Sequence, residues 1–182
     1  MYFKAAATLC IASWALIVPS FVQAAGERVY LEPDSFIDDC FDGEKPEQQV
    51  LWVDKALRAA VEKLLGRNYA RLRVRYHANE MRSVWVLDEI GKDLPITTGV
   101  VIENGAITNV TVLIFRESRG WEVRYPFFTD QFVGARANAD GQLNTRIDGI
   151  SGATMSVNAL RKQARLALLF DAYIRKSNQD AG

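Results

Sequence analysis

Two apolar runs, Pro95–Glu103 and Ala106–Phe115, stand on either side of Asn104-Gly105. Asn-Gly between strand-like runs is a strong short-range hairpin signal, because both residues accept the positive φ that a tight two-residue turn requires. This hairpin commits the middle of the chain to an antiparallel sheet. Ser83–Ile90 is apolar on both faces (Val84 and Val86 on one, Trp85 and Leu87 on the other) and reads as a central strand of that sheet. Arg71–Tyr76 alternates strictly, so it is a strand with one apolar and one basic face, joined to the next through a polar turn at Ala78–Met81. The arginines of that stripe, Arg71, Arg73 and Arg75, read as a solvated face in preference to a docking surface.

Helical patterns lie at both ends. Pro33 and Ser35 allow a short helix through Asp38–Phe41, and Gln49–Val53 reads as a short strand. Asp54 then caps a helix with Leu57, Val61, Leu64 and Leu65 at helical spacing and Gly66 as its stop. A last helix is expected from about Ser156 to Ile174, with Val157, Leu160, Ala164, Ala167 and Leu168 on one face. Antiparallel strands with helices at both ends predict an α+β fold, a sheet flanked by helices. Between Arg116 and Gly134 the chain is irregular and rich in aromatics and charges, a pattern of functional or carefully packed loops.

The first 24 residues read differently. Lys4, an apolar run from Ala5 to Val18, Pro19 and then Val22-Gln23-Ala24 follow the three-part pattern of a secretory signal peptide. The apolar run is shorter than the roughly 20 residues that span a bilayer. Cleavage after Ala24 is expected, with a membrane anchor as the result if the segment stays. Cys10 lies inside the run without the small preceding residue that lipid attachment needs, so it is an ordinary leader cysteine. Without the leader, Cys40 is alone and cannot form an internal disulfide. It is expected to be buried or inert, since its neighbour Asp39 disfavours the thiolate. Residues 1–24 are thus assigned as signal peptide and 25–81 as a helical and strand cover of the same domain as 82–182, which carries the site.

Composition excludes several functions. Twenty-two basic and 22 acidic residues leave no positive excess for nucleic acid. One histidine and two cysteines are too few ligands for a His/Cys zinc site, and no metal is expected. His77 reads as a surface residue.

One motif carries chemistry: Asp148-Gly149-Ile150-Ser151-Gly152-Ala153-Thr154-Met155-Ser156, directly before the last helix. Its glycines allow a tight turn and close approach of a ligand, and the helix start offers free N–H groups and a positive dipole end to a phosphate. It is not a P-loop, because Ala153 stands where the lysine belongs. It is not a nucleophile elbow either, because its second glycine comes one residue early and no histidine is placed beside Ser151. A phosphate site and a plain capped helix both remain open on these residues.

Asp148, Gly149, Ser151, Gly152, Ala153 and Thr154 together resemble the flavinylation signature of the FMN-binding domain family. That family includes the covalent-FMN subunits of ion-pumping NADH:quinone and ferredoxin:NAD oxidoreductases, as well as soluble exported flavoproteins. The likeness extends over about residues 82–174, through the Asn104-Gly105-Ala106-Ile107 hairpin, Val110–Phe115 followed by Glu117, and Phe132-Val133-Gly134. Where larger members carry Thr-Pro-Gly after the acidic residue, this chain has Ser118-Arg119-Gly120. The resemblance implies FMN joined to Thr154 through a phosphoester and donated from FAD by a flavin transferase. It further implies an exported or periplasmic electron-transfer flavoprotein with a redox partner in the membrane or periplasm. The alternatives are a non-redox binding or assembly module on the same fold, and a flavin-dependent reductase. The isoalloxazine ring needs an apolar wall, for which Trp121, Tyr125, Phe127 and Phe128 are candidates. Glu117 is a candidate acceptor for the ring or ribityl chain, and Arg119 or Arg124 for charge on the phosphate or reduced flavin. Surface pairs Glu117–Arg119 and Glu122–Arg124 are the competing reading of these charges.

Overall fold

The computed structural model describes residues 26–180; the proposed signal segment lies outside them. Strands β1 (Arg28–Val29), β2 (Gln49–Trp52), β3 (Arg73–Ala78), β4 (Arg82–Ile90), β5 (Pro95–Glu103) and β6 (Ala106–Phe115) form one antiparallel sheet in the order β1-β6-β5-β4-β3-β2. Helices α1 (Pro33–Cys40), α2 (Lys55–Leu65), the short α3 (Pro126–Thr129) and the long α4 (Thr154–Asp180) complete an α+β domain.

The predicted hairpin forms with Asn104 at φ 50° and Gly105 at φ 72°, both left-handed, and Glu103 opposite Ala106. Asn79 closes the β3–β4 turn, its side-chain oxygen accepting from the N–H groups of Met81 and Arg82. Asp54 caps α2 by accepting from Leu57 N–H at 2.7 Å, and Gly66 ends it in the left-handed conformation.

Each face of the sheet buries a different core. Trp85, Leu87, Val100, Ile102 and Val110 pack against α2 and α4. On the other face Val84, Val101 and Leu113 meet Phe36 and Ile37 of α1 and Phe41 just after it. Gly99 makes this second contact possible: a Cβ there would stand 2.3 Å from Cε1 of Phe36.

Buried polar side chains fix α4 on the sheet. Gln163 Nε2 donates to the carbonyls of Leu87 (2.8 Å) and Ile96 (2.7 Å), and its Oε1 accepts from Thr98 Oγ1 (2.8 Å). Two turns on, Asp171 accepts from Ser83 Oγ at 2.6 Å and pairs with Arg175. Glu89, buried at the end of β4, is held by Arg67 (2.7 Å) and Lys162 (3.4 Å).

Four expectations need correction. His77 is buried, its Nδ1 bonded to the Pro46 carbonyl at 2.8 Å, because the chain after α1 runs over the outer face of β3. Strand β3 begins at Arg73, so Arg71 sits in the preceding loop, 3.7 Å from Asp88. Helix α4 starts two residues earlier than its apolar periodicity suggests and runs on to Asp180. The irregular stretch contains α3 and two 3-10 turns, Trp121–Arg124 and Asp130–Phe132, whose single turns are too short to show a period.

Cys40 is half-buried, and burial above all pushes its thiol from the ordinary 9.0 to about 11; Arg82 opposes the shift and Asp39 adds to it. At pH about 8, alkylation of native Cys40 is expected to run roughly 100-fold slower than that of the unfolded chain, read by mass spectrometry over time. The folded state keeps its thiol proton longer, so this group favours folding below pH 9.0 and that contribution is lost as pH rises toward about 11. Gly99→Ala is expected to destabilise by about 1 to 3 kcal/mol in urea unfolding, since the rigid Phe36 ring must move.

Candidate functional site

The segment before α4 is pinned at several points. Asp148 N–H donates to Gln131 Oε1 at 2.6 Å, and Arg161 donates to the Ile147 carbonyl. A turn then closes with Ala153 N–H on the Ile150 carbonyl at 3.0 Å. Gly152 sits in this turn at φ 81°, a conformation that a side chain would strain. A Cβ on Gly152 would meet nothing within 4 Å, so the space beside it is open.

Thr154 is the first residue of α4 and is exposed. The first intrahelical bond is Val157 N–H to Ala153 carbonyl at 3.0 Å. The N–H groups of Thr154, Met155 and Ser156 precede that bond and have no partner within the helix. Ala153 occupies the cap position, and its buried methyl group cannot accept a hydrogen bond. The plain-cap reading therefore loses its side-chain acceptor, while a phosphate oxygen can accept from these N–H groups and rest on the positive helix end.

The opposite wall comes from the loop after β6. Gly120, at φ 84°, lets this loop reach the helix start: a Cβ there would stand 2.4 Å from Ser156 Oγ and 3.4 Å from Ala153 Cβ. A cleft of about 550 Å3 results, lined by Lys92, Glu117, Ser118, Arg119 and Gly152 to Ser156. Lys92 and Arg119 bring positive charge to the end of the helix that favours anions.

Of the residues singled out by sequence, Glu117, Arg119 and Gly152 to Ser156 of the motif meet at this cleft. Asp148, Gly149 and Ser151 are exposed on the loop and do not line it; Asp148 lies 3.3 Å from Arg146. Glu117 is buried, and its Oε1 accepts from three successive N–H groups, Lys92 (2.5 Å), Asp93 (2.6 Å) and Leu94 (2.9 Å). It fixes the β4–β5 turn as a wall of the cleft. Neither expected surface pair, Glu117–Arg119 or Glu122–Arg124, forms among the described residues.

The aromatic wall is not at the cleft. Phe128 is fully buried against Phe132, and Phe127 faces solvent. Trp121 meets Tyr125 edge-on at 5.7 Å, and the Arg124 guanidinium lies 4.5 Å over Tyr30, 4.6 Å over Tyr125 and 5.5 Å over Trp121. Trp121, Tyr125 and Tyr30 gather around Arg124 in a stacked clip, and none of these rings lines the cleft. Sequence reading missed Lys92, Gly91 and the close approach at Gly120. Gly91 and Gly120 carried a signal in hindsight: a Cβ at Gly91 would stand 2.8 Å from Glu117 Oε1. Lys92 carried none, because only the fold brings it to α4.

Fold and site together define an α+β domain that presents an uncapped helix start and a reachable hydroxyl to an anionic ligand. Residues 91–169 match the model of the FMN-binding domain family, which supports an FMN-binding domain in this part of the chain. The match contains the whole cleft wall, the Asp148–Ser156 motif and most of α4. No curated protein and no solved structure matches the chain.

Glu117→Ala would leave three N–H groups without their acceptor. The expected loss is about 1 to 3 kcal/mol in urea unfolding, with faster amide exchange at residues 92–94. Glu117→Gln keeps an acceptor oxygen and is expected to lose less.

Proposed function

We propose that the protein is an exported electron-transfer flavoprotein that holds FMN covalently on Thr154. The observation that carries this reading is the exposed Thr154 hydroxyl at a helix start whose cap position holds only a methyl group. The family match over residues 91–169 supports flavin binding, and attachment at Thr154 is the step proposed here.

The residues fit the group. Thr154 Oγ replaces the leaving oxygen on the flavin phosphate, losing its proton, while the P–O–P bond of FAD breaks and AMP departs. A flavin transferase must hold the FAD, since a second nucleotide pocket is not needed on this chain for a one-time modification. Thr154 and Met155 are exposed, so a modifying enzyme can reach them without unfolding the helix. After attachment the phosphodiester keeps one negative charge, which the N–H groups of the first turn and the nearby Lys92 and Arg119 can hold. Gly152 keeps the space beside the attachment point clear for the ribityl chain. Bound flavin supplies one- and two-electron chemistry, and the protein supplies its position and charge environment. A covalent link suits a protein that works where lost cofactor is not replaced, in keeping with the leader-like residues 1–24 and a redox partner in the membrane or periplasm.

Thr154→Ala is the discriminating variant. Produced in an exporting host with an active flavin transferase, the parent chain is expected to gain the mass of FMN less water on the peptide holding Thr154. The variant is expected to lose all covalent flavin fluorescence while keeping its unfolding midpoint. A parent chain that stays unmodified beside a modified control protein would exclude the covalent reading and favour a non-redox module.

A further inference from the structure

The sheet face that carries α1 is only partly covered. Phe36, Ile37 and Phe41 shield Val84, Val101 and Leu113, and the segment around Pro46 covers the end of β3 at His77, which leaves β2, the first part of β3 and the end of β4 bare. Trp52 pairs with Arg73 and Val50 with Arg75, which places all four side chains on this face. All four are exposed, Trp52 at 65%. Ile90, at 49%, lies on the same face of β4, two and four residues beyond Asp88 and Val86. Leu72, at 66%, and Leu94 extend the apolar side chains along the adjoining sheet end.

The charges of this region are uneven. Asp88 is taken up by Arg71 and by Thr97 Oγ1 at 2.6 Å, and Glu89 by Arg67 and Lys162. Arg73 and Arg75 form no ion pair among the described residues. The exposed indole and aliphatic groups are thus interleaved with unneutralised guanidinium groups on an open sheet surface. Indole and arginine side chains each join an apolar body to a polar end, the combination that settles at a membrane–water interface, and free arginines add attraction to anionic headgroups.

We propose that this bare face of β2–β3, with Ile90, Leu72 and Leu94 at its border, docks on an anionic phospholipid surface. The contact is peripheral, since no helix among the described residues is long and apolar enough to cross a membrane. The cleft at Thr154 opens at the same sheet end, beside Lys92 and Glu117 of the β4–β5 turn and the β6 end.

The test uses the full chain carrying Trp14→Phe, so that the leader contributes no signal whether or not it is removed. Of the three remaining tryptophans only Trp52 is strongly exposed; Trp85 is fully buried. Vesicles of phosphatidylcholine with phosphatidylglycerol, brominated in the acyl chains, are expected to shift tryptophan emission to the blue and quench it. Vesicles of brominated phosphatidylcholine alone are expected to do so much less, and added salt should reverse the effect. Trp52→Phe removes the quenched component. Arg73→Glu with Arg75→Glu raises the lipid concentration for half-quenching by roughly 30-fold or more; both are surface changes, and circular dichroism checks the fold. Equal quenching on both vesicle types overturns the proposal, as does quenching that survives Trp52→Phe. So does vesicle attachment without quenching, which assigns binding to the leader. A lipid-free dimer that shifts Trp52 emission without vesicles would assign the face to a second copy instead.

Discussion

One side-chain amide holds the arrangement in register. Gln163 lies fully buried under the sheet and ties α4 to carbonyls of two neighbouring strands and to a threonine on one of them. Apolar packing alone would let a helix slide or rotate on a sheet at modest cost, whereas three directed bonds in a low-dielectric interior tolerate only one placement. Thr154 stands nine residues before Gln163 on the same helix, so its position against the β4–β5 turn and the β6 loop is set from this anchor. Asp171 repeats the device further along, through Ser83 and the Trp85 indole N–H.

The cleft then follows from two close approaches and one carboxylate. Gly120 lets the loop after β6 touch the helix start, and Gly91 leaves room for Glu117. Glu117 gathers three N–H groups that would otherwise be unpaired at the turn and makes the turn a firm wall. The carboxylate that family resemblance offers as a ligand group acts first on the protein's own backbone. Its buried position beside Thr154 makes the two roles compatible, since only one of its oxygens is engaged in the turn.

Local signals were legible wherever they were strong and short in range. Asn104-Gly105, the both-face apolarity of β4, the Asp54 cap and the Gly66 stop each reflect the chemistry of a few adjacent residues, and the structure forms them as read. The Asp148–Ser156 motif was legible as a helix start with room for a ligand. What escaped depends on contacts distant in sequence. His77 looks like a surface residue until the segment around Pro46 crosses it. Gln163 and Asp171 look like solvent-facing breaks in an apolar helix until the strands above supply their partners. The aromatics between Trp121 and Phe128 looked like a ring-binding wall because their number is visible and their orientation is not. Arg124 claims Tyr30, Trp121 and Tyr125, and the core claims Phe128.

The stacked clip at Arg124 also has a mechanical meaning. Strand β1 contributes only Arg28 and Val29 to the sheet edge, and just beyond it Tyr30 both donates to the Leu113 carbonyl at 2.8 Å and lies under the Arg124 guanidinium. A pull on the chain ahead of Arg28 is therefore borne first by the Glu27–Arg116 ion pair at 2.8 Å and a two-residue ladder, and then by an arginine that belongs to the 3-10 turn following Gly120. Load entering there meets a weak link at the sheet edge before it reaches α4. The two-residue strand serves as a fuse: it can peel away under tension while Gln163 and Asp171 keep the helix, and the hydroxyl at its start, in place.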